Sequence, residues 1–295
     1  MQKDEYNKDV FIVSSDSDLG FVNLTNPDQL QPIIRHTSRR TNASFSSIKS
    51  FAQFNGSSLI VVDAGSHCIR TVSRQTHKIA QLAGQCGSPS QLIQVSSFKE
   101  AVFNSPYDIV KGENPNDYYV LESTNRAIRK LDLSSEMVSG VYQAPDDNSA
   151  IFPSPKTMIL NGTVFYIGVS GGIATFDLKS QKMEVLHTGE VGLMDGQLNS
   201  TAKFRSPISM QSLFNDVLAV LDDQQPYIRL INLENKEVRS LNITEAVEDL
   251  GTPKCLMVDQ EKNRIYIGGQ MGISVIECEW LTPRFESLCQ PRLVL

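Results

Sequence analysis

A phrase that recurs about every fifty residues restricts what this chain can fold into. Ala101-Val102-Phe103-Asn104-Ser105-Pro106 returns as Ala150-Ile151-Phe152-Pro153-Ser154-Pro155 and again as Ala202-Lys203-Phe204-Arg205-Ser206-Pro207. A period of this length marks a supersecondary unit that cannot bury its apolar face alone and must pack against copies of itself. Each unit carries apolar bursts of strand length. The second bursts begin at Phe11, Leu59, Tyr118, Phe165, Leu218 and Ile265, and the third at Phe21, Ile69, Ile128, Ile173, Ile228 and Ile273. The third bursts have apolar residues at alternate positions, as a half-buried strand requires. A weaker fourth burst begins at Lys78, Met137, Met183 and Val238. The pattern predicts an all-β fold, a six-bladed β-propeller of four-stranded antiparallel blades, which limits exposed sheet edges by closing on itself.

At 295 residues the chain suits one closed repeat array better than two separate cores. Residues 1–280 are read as the propeller and residues 281–295 as a C-terminal tail. Blade one lacks a clear first strand ahead of Val10, so either that tail or the polar leader is expected to supply the missing strand and latch the ring. No apolar run approaches the roughly 20 residues of a membrane span, which predicts no membrane insertion. Met1 to Asp9 is polar and on its own suggests the cytosol. Two other features point outside the cell. N-glycosylation acceptor tripeptides stand at Asn23, Asn42, Asn55, Asn161, Asn199 and Asn242, and the five cysteines include a spacing suited to an oxidising compartment. The compartment expected is therefore secreted or extracellular, with the chain a fragment or a mature ectodomain.

Leu59-Ile-Val-Val-Asp63-Ala-Gly-Ser-His67-Cys-Ile-Arg-Thr-Val72, followed by Leu82-Ala-Gly84, resembles the NHL repeat. That repeat runs from an apolar strand through Asp-x-Gly-Asn-His-x-Ile-Arg to Leu-Ala-Gly. Asp195-Gly196 with Ala202, Phe204 and Pro207 is similar to the family's linker between blades, and Ile-Arg is kept at Ile128-Arg129 and Ile228-Arg229. The resemblance covers most of residues 10–280 and implies a propeller. NHL propellers bind protein or RNA, and related six-bladed propellers are hydrolases or lyases, so the fold does not select the function.

Cys68 opens a third strand and Cys86 follows a fourth, so a hairpin turning near Gln75 brings them together and predicts a disulfide. Cys278 and Cys289 are expected to pair in the tail, leaving Cys255 as a buried free thiol. The four histidines, His36, His67, His77 and His187, are scattered over linkers and turns, whereas zinc needs three or four converging ligands. No metal and no cofactor is predicted. Gly168 to Gly172 and Gly268 to Gly272 precede strands rather than a helix and read as tight turns, not phosphate loops.

Asp63, His67, Gln91, Glu122, Asn125, Asp222, Asp223 and Gln270 are expected on one loop face, where they could meet a partner. The net charge of −6 argues against nucleic acid, which demands a basic face. No nucleophile with a nearby histidine emerges, so no catalytic residue is assigned. The reading is a non-catalytic extracellular platform for a protein or glycan, with the long linker Gly84 to Pro106 as its contact. One alternative is a hydrolase or lactonase-like enzyme with a channel cation held by the acidic turn residues. Another is a cytosolic NHL adaptor or RNA binder.

Overall fold

A computed structural model describes residues 1–4, 7–14, 18–23, 26–34, 44–91, 93–145, 152–188, 190–214, 216–223, 225–279 and 288–292. The chain is built from small antiparallel sheets joined by linkers. The leading sheet orders β1 (Gln2–Asp4), β2 (Asn7–Ser14), β3 (Leu19–Asn23) and β4 (Asn26–Ile34). The next orders β5 (Ile48–Asn55), β6 (Ser58–Asp63), β7 (Cys68–Ser73) and β8 (Ile79–Ala83). A five-stranded sheet runs β10 (Pro106–Lys111), β11 (Asp117–Glu122), β12 (Ala127–Asp132), β13 (Met137–Gln143) and then β9 (Ser96–Ser97), which arrives from the linker. After it come β14 (Thr157–Asn161), β15 (Val164–Val169), β16 (Gly172–Asp177) and β17 (Lys182–Thr188). A second five-stranded sheet contains β18 (Gly196–Gln197), β22 (Glu237–Asn242), β21 (Tyr227–Asn232), β20 (Val217–Asp222) and β19 (Pro207–Phe214). The last orders β23 (Cys255–Asp259), β24 (Arg264–Gly268), β25 (Ile273–Glu279) and β26 (Leu288–Arg292), preceded by one helical turn, α1 (Thr244–Val247).

Two parts of the expected architecture are corrected. Two sheets have five strands rather than four, because the linker residues Ser96–Ser97 and Gly196–Gln197 pair with the outer strands β13 and β22. Five sheets, those from β5 to β25, form blades with described interiors, not the expected six. In the leading segment only a few side chains, among them the buried Ile12 and Leu19, are described. The strand ahead of Val10 is Gln2–Asp4, paired with β2, while Leu288–Arg292 pairs with β25 as the outer strand of the last sheet. Among the described residues no helix is long and apolar enough to cross a membrane.

The chain divides into two compact units, residues 2–165 with 177–182 and residues 166–176 with 183–295. In the first, Ile60, Val62 and Ile69 pack with Phe103, Tyr118, Val120 and Leu131, joining two neighbouring sheets. In the second, Leu221, Ile228, Ile243, Leu256 and Ile265 do the same. Each such side chain contributes about 1.5–3 kcal/mol by leaving water. Most of these positions lie in the second and third bursts, and the second strands β6, β11 and β20 are buried on both faces.

The inner strands β5, β10 and β19 share a device. Each shifts register near its start, between Ile48 and Ser50, Pro106 and Asp108, and Pro207 and Ser209. Proline lacks an N–H and sits without loss at a strand's first position, and the bulge re-aims the side chain that follows. Asp108 Oδ2 thereby accepts the Met158 N–H at 2.8 Å, and Ser209 Oγ accepts that of Leu256 at 3.1 Å. Burial holds the Asp108 carboxyl above the usual carboxylate range, against the pull of Ser50, Met158 and Ile109.

Candidate functional site

One arrangement of carboxylate, arginine and phenylalanine occurs three times. The carboxylate ends a second strand (Asp63, Glu122, Asp222), and the arginine follows seven residues later on the third strand (Arg70, Arg129, Arg229). The phenylalanine lies in the preceding linker (Phe45, Phe103, Phe204). Glu122 Oε2 accepts the Asn104 N–H at 3.0 Å and an Asn125 Nδ2 hydrogen at 2.5 Å, while Arg129 donates to Oε1 at 3.2 Å. Arg129 also donates to Val102 O and Gln94 O, and its guanidinium lies 5.3 Å from the Phe103 ring centre. In the second unit Asp222 accepts the Arg205 and Ser206 N–H groups at 2.7 and 2.5 Å. Arg229 donates to Lys203 O and Met194 O and sits 4.7 Å above the Phe204 ring. Asp63 accepts the Ser46 and Ser47 N–H groups and pairs with Arg70 at 3.1 Å. Each trio therefore clamps the linker backbone to its own blade.

Burial governs the electrostatics of these clamps. Glu122 and Arg129 are 0% and 1% exposed, and Arg229 is 0%. Burial holds the Glu122 carboxyl above the usual range, with the Arg129 charge and the Asn104 amide pulling it back. Asp222 is raised for the same reason, and burial pushes Arg129 and Arg229 down. Desolvation of a buried pair competes with its attraction, so losing one member costs more than losing both. The other blades follow that rule. Where β15 and β16 would carry the pair stand the buried Val169 and Ala174, and in β25 the arginine position is Ser274.

The linker after β8 is tied down at both ends. Cys68 and Cys86 form a disulfide with Cα atoms 5.1 Å apart. Gly84, at φ 98°, turns the chain between them, and a Cβ there would lie 2.7 Å from the Phe103 ring. The Gly84, Gln85 and Gly87 N–H groups donate to Phe98 O, Ala101 O and Ser66 O. Farther along, Ser90 O accepts from Asn125 Nδ2 at 2.9 Å and Gln94 O from Arg129 at 3.4 Å. Ile93 covers Gly140, where a Cβ would come within 2.9 Å of it. In the chain-entropy estimate the disulfide stabilises by about 3 kcal/mol. Cys68→Ala is expected to lower unfolding stability by that amount, read from urea unfolding, with the slope rising as the unfolded chain loses its cross-link.

The residues expected on the loop face thus separate into two groups. Asp63, Glu122, Asn125 and Asp222 are buried, with their polar atoms taken up by linker backbone and arginine. As partner contacts these four would offer little exposed surface. His67 is half-buried at φ 55°, and its Nδ1 accepts the Ser105 N–H at 3.0 Å. Gln91 and Gln270 are exposed and Asp223 is half-buried. Among the described residues no group of three His, Cys, Asp or Glu side chains could hold a metal ion.

Cys255 is a free thiol but half-buried rather than buried, and Cys278 is disulfide-bonded. Cys278 stands in register with Cys289, whose side chain lies outside those described. Among the sequons Asn55, Asn199 and Asn242 are exposed and Asn161 is half-buried. Asn42 lies outside the described residues, as does the side chain of Asn23. His36 also falls outside them.

No family model matches the chain. A stretch of 105 residues is 34% identical to NHL repeat-containing protein 2 of Bos taurus, covering 34% of this chain and 14% of that protein. The Homo sapiens protein of the same name is 36% identical over 93 residues, 32% of this chain and 12% of its own length. The match thus spans a small part of these relatives. An auxiliary nutrient binding protein from Bacteroides thetaiotaomicron aligns over 92% of this chain and 67% of its own, with TM-score 0.66 and 11% identity. A chain of the nidogen/laminin complex aligns over 90% and 88%, with TM-score 0.57 and 12% identity. A chain named as an extracellular domain from B. thetaiotaomicron aligns over 92% and 32%, with TM-score 0.58 and 13% identity.

The fold is a β-propeller, and about a third of the chain is similar to NHL repeat-containing protein 2. The Ile-Arg pairs of the chain's NHL-like phrases are the clamp arginines, and Asp195 of the linker phrase accepts from Arg229 at 3.2 Å. What the sequence reading missed is that turn carboxylate and strand arginine form one unit. The constant seven-residue spacing between them was the available signal.

Proposed function

We propose that this NHL-type propeller is a non-catalytic extracellular binding platform that recognises a protein or glycan through the linker at residues 84–106. The observation that carries the reading is how that linker is held. Its backbone is fixed by a disulfide, Asn125 and Arg129, while Gln91, Gln94 and Val95 stay exposed. A fixed loop with free side chains loses little conformational entropy on binding. Structural neighbours named for nutrient binding and as an extracellular domain support the same reading, as do the disulfide and the exposed sequons. Asp223, Gln270 and the exposed edge of His67 are secondary candidates for contact.

Deleting the linker through Phe98 would open the core, because Phe98 is buried. The test is therefore a triple replacement, Gln91→Ala, Gln94→Ala and Val95→Ala, screened against cell-surface proteins and a glycan array. Exposed substitutions of this kind are expected to change stability by no more than about 0.5 kcal/mol, while binding falls at least about tenfold. Equal binding by variant and wild type would reject the linker as the contact. Retention of neither ligand class by the wild type would reject the platform.

A further inference from the structure

The strap that leads into β18 holds a group of apolar side chains in water. Val191 is 63% exposed, Leu193 40% and Met194 45%. Five large apolar side chains are exposed among the described residues, and three of them fall within these four positions. Scattered singly such residues need no explanation, whereas grouped ones mark a contact. The strap ahead of β9 shows why Leu193 stays outside. There Ile93 is half-buried over Gly140 of β13, where a Cβ would come within 2.9 Å of it. Gly140 pairs with Arg129, and the residue that pairs with Arg229 in β22 is Ser240. Ser240 donates its N–H and hydroxyl to Asp195 at 2.9 and 2.7 Å, so a polar side chain fills the place that glycine leaves open.

The backbone of this strap is fixed by other groups. Gly192 and Met194 donate their N–H groups to Phe204 O and Lys203 O at 3.2 and 3.4 Å, and Arg229 donates to Met194 O at 2.6 Å. Its charges are already paired, Lys203 with Glu190 at 2.6 Å and Asp195 with Arg229 at 3.2 Å. Val191 and Leu193, by contrast, have no backbone hydrogen bond among the described residues. We propose that residues 191–194 are a docking surface for an extended, uncharged apolar peptide segment of a protein partner. Each feature restricts the occupant. Paired charges give a charged ligand no ion partner, and with Lys203 tied to Glu190 the strap has no free cation for an anionic lipid surface. A stable pair of identical subunits buries about 800 Å² on each side, more than three side chains supply. A peptide main chain brings the donors and acceptors that Val191 and Leu193 leave open, while its apolar side chains cover theirs.

The experiment pans a library of random linear peptides displayed on phage against the folded full chain, then measures synthetic copies of the enriched peptides by fluorescence polarisation. The enriched peptides are expected to be apolar and uncharged. The double variant Val191→Glu with Leu193→Glu is expected to weaken their binding at least about tenfold, with the urea midpoint unchanged because both side chains are exposed. Met194→Gln, which keeps the chain length and the backbone, is expected to weaken the same peptides. Equal binding by the double variant would overturn the proposal, as would enrichment of charged peptides alone or of no peptide. Two further results would overturn it by giving the surface another occupant: co-sedimentation with phosphatidylcholine vesicles, or a dimer in sedimentation velocity, that the double variant abolishes. The linker at residues 84–106 is unaltered in these variants, so failure here leaves its reading standing.

Discussion

Arg129→Ala is expected to lower the stability of the chain by about 3–5 kcal/mol, measured by urea unfolding. Arg129 is buried, and removing it leaves the Glu122 carboxylate in a low-dielectric site with only the Asn104 and Asn125 donors. The carbonyls of Val102 and Gln94 lose a donor at the same time. The informative comparison is the double variant Glu122→Val with Arg129→Ala, which places in this blade the pair seen at Val169 and Ala174. Its loss is expected to fall clearly below the sum of the two single losses, a coupling of at least about 1 kcal/mol in the double-mutant cycle. Strict additivity would show that the two residues do not act as one clamp.

Phe204→Ala has an expected cost of about 3–5 kcal/mol, the range for deleting a fully buried ring. The phenyl ring is 0% exposed and lies under the Arg229 guanidinium, so truncation opens a cavity and removes the aromatic face from a buried cation. Phe204→Leu keeps most of the volume and loses only the face, and its cost should be about half as large or less. If alanine and leucine were equally damaging, the ring would act through the cation alone. If both were harmless, the linker would not be clamped. Asp222 and Lys203 O would then show no change in the protection of neighbouring amides.

The strands were readable because their physics is local. A strand buried on both faces reads as a short continuous apolar run, and the bursts at Leu59, Tyr118, Leu218 and Ile265 fall inside β6, β11, β20 and β24. The Cys68–Cys86 bond followed from hairpin geometry, since the two ends of one turn must meet. The clamps were hidden by the opposite circumstance. A carboxylate at a strand end is ordinarily solvated, and nothing local in Asp63, Glu122 or Asp222 says that the preceding linker folds back over it. Only the arginine seven residues on and the linker phenylalanine together identify a buried site. The two-residue strands β9 and β18 are too short for any periodicity to register. Tight turns at Gly171 and between Gly269 and Gly272 were legible from glycine alone, because the former has φ 82° and the latter closes a backbone bond.

Intact mass of the chain made by a secreting eukaryotic cell, before and after enzymatic removal of N-glycans and with thiol labelling under denaturing conditions, tests the extracellular platform most directly. The account predicts a mass drop on glycan removal, with Asn55, Asn199 and Asn242 among the modified residues, and labelling of Cys255 with Cys68, Cys86 and Cys278 protected. An unglycosylated chain whose five cysteines all label would contradict it.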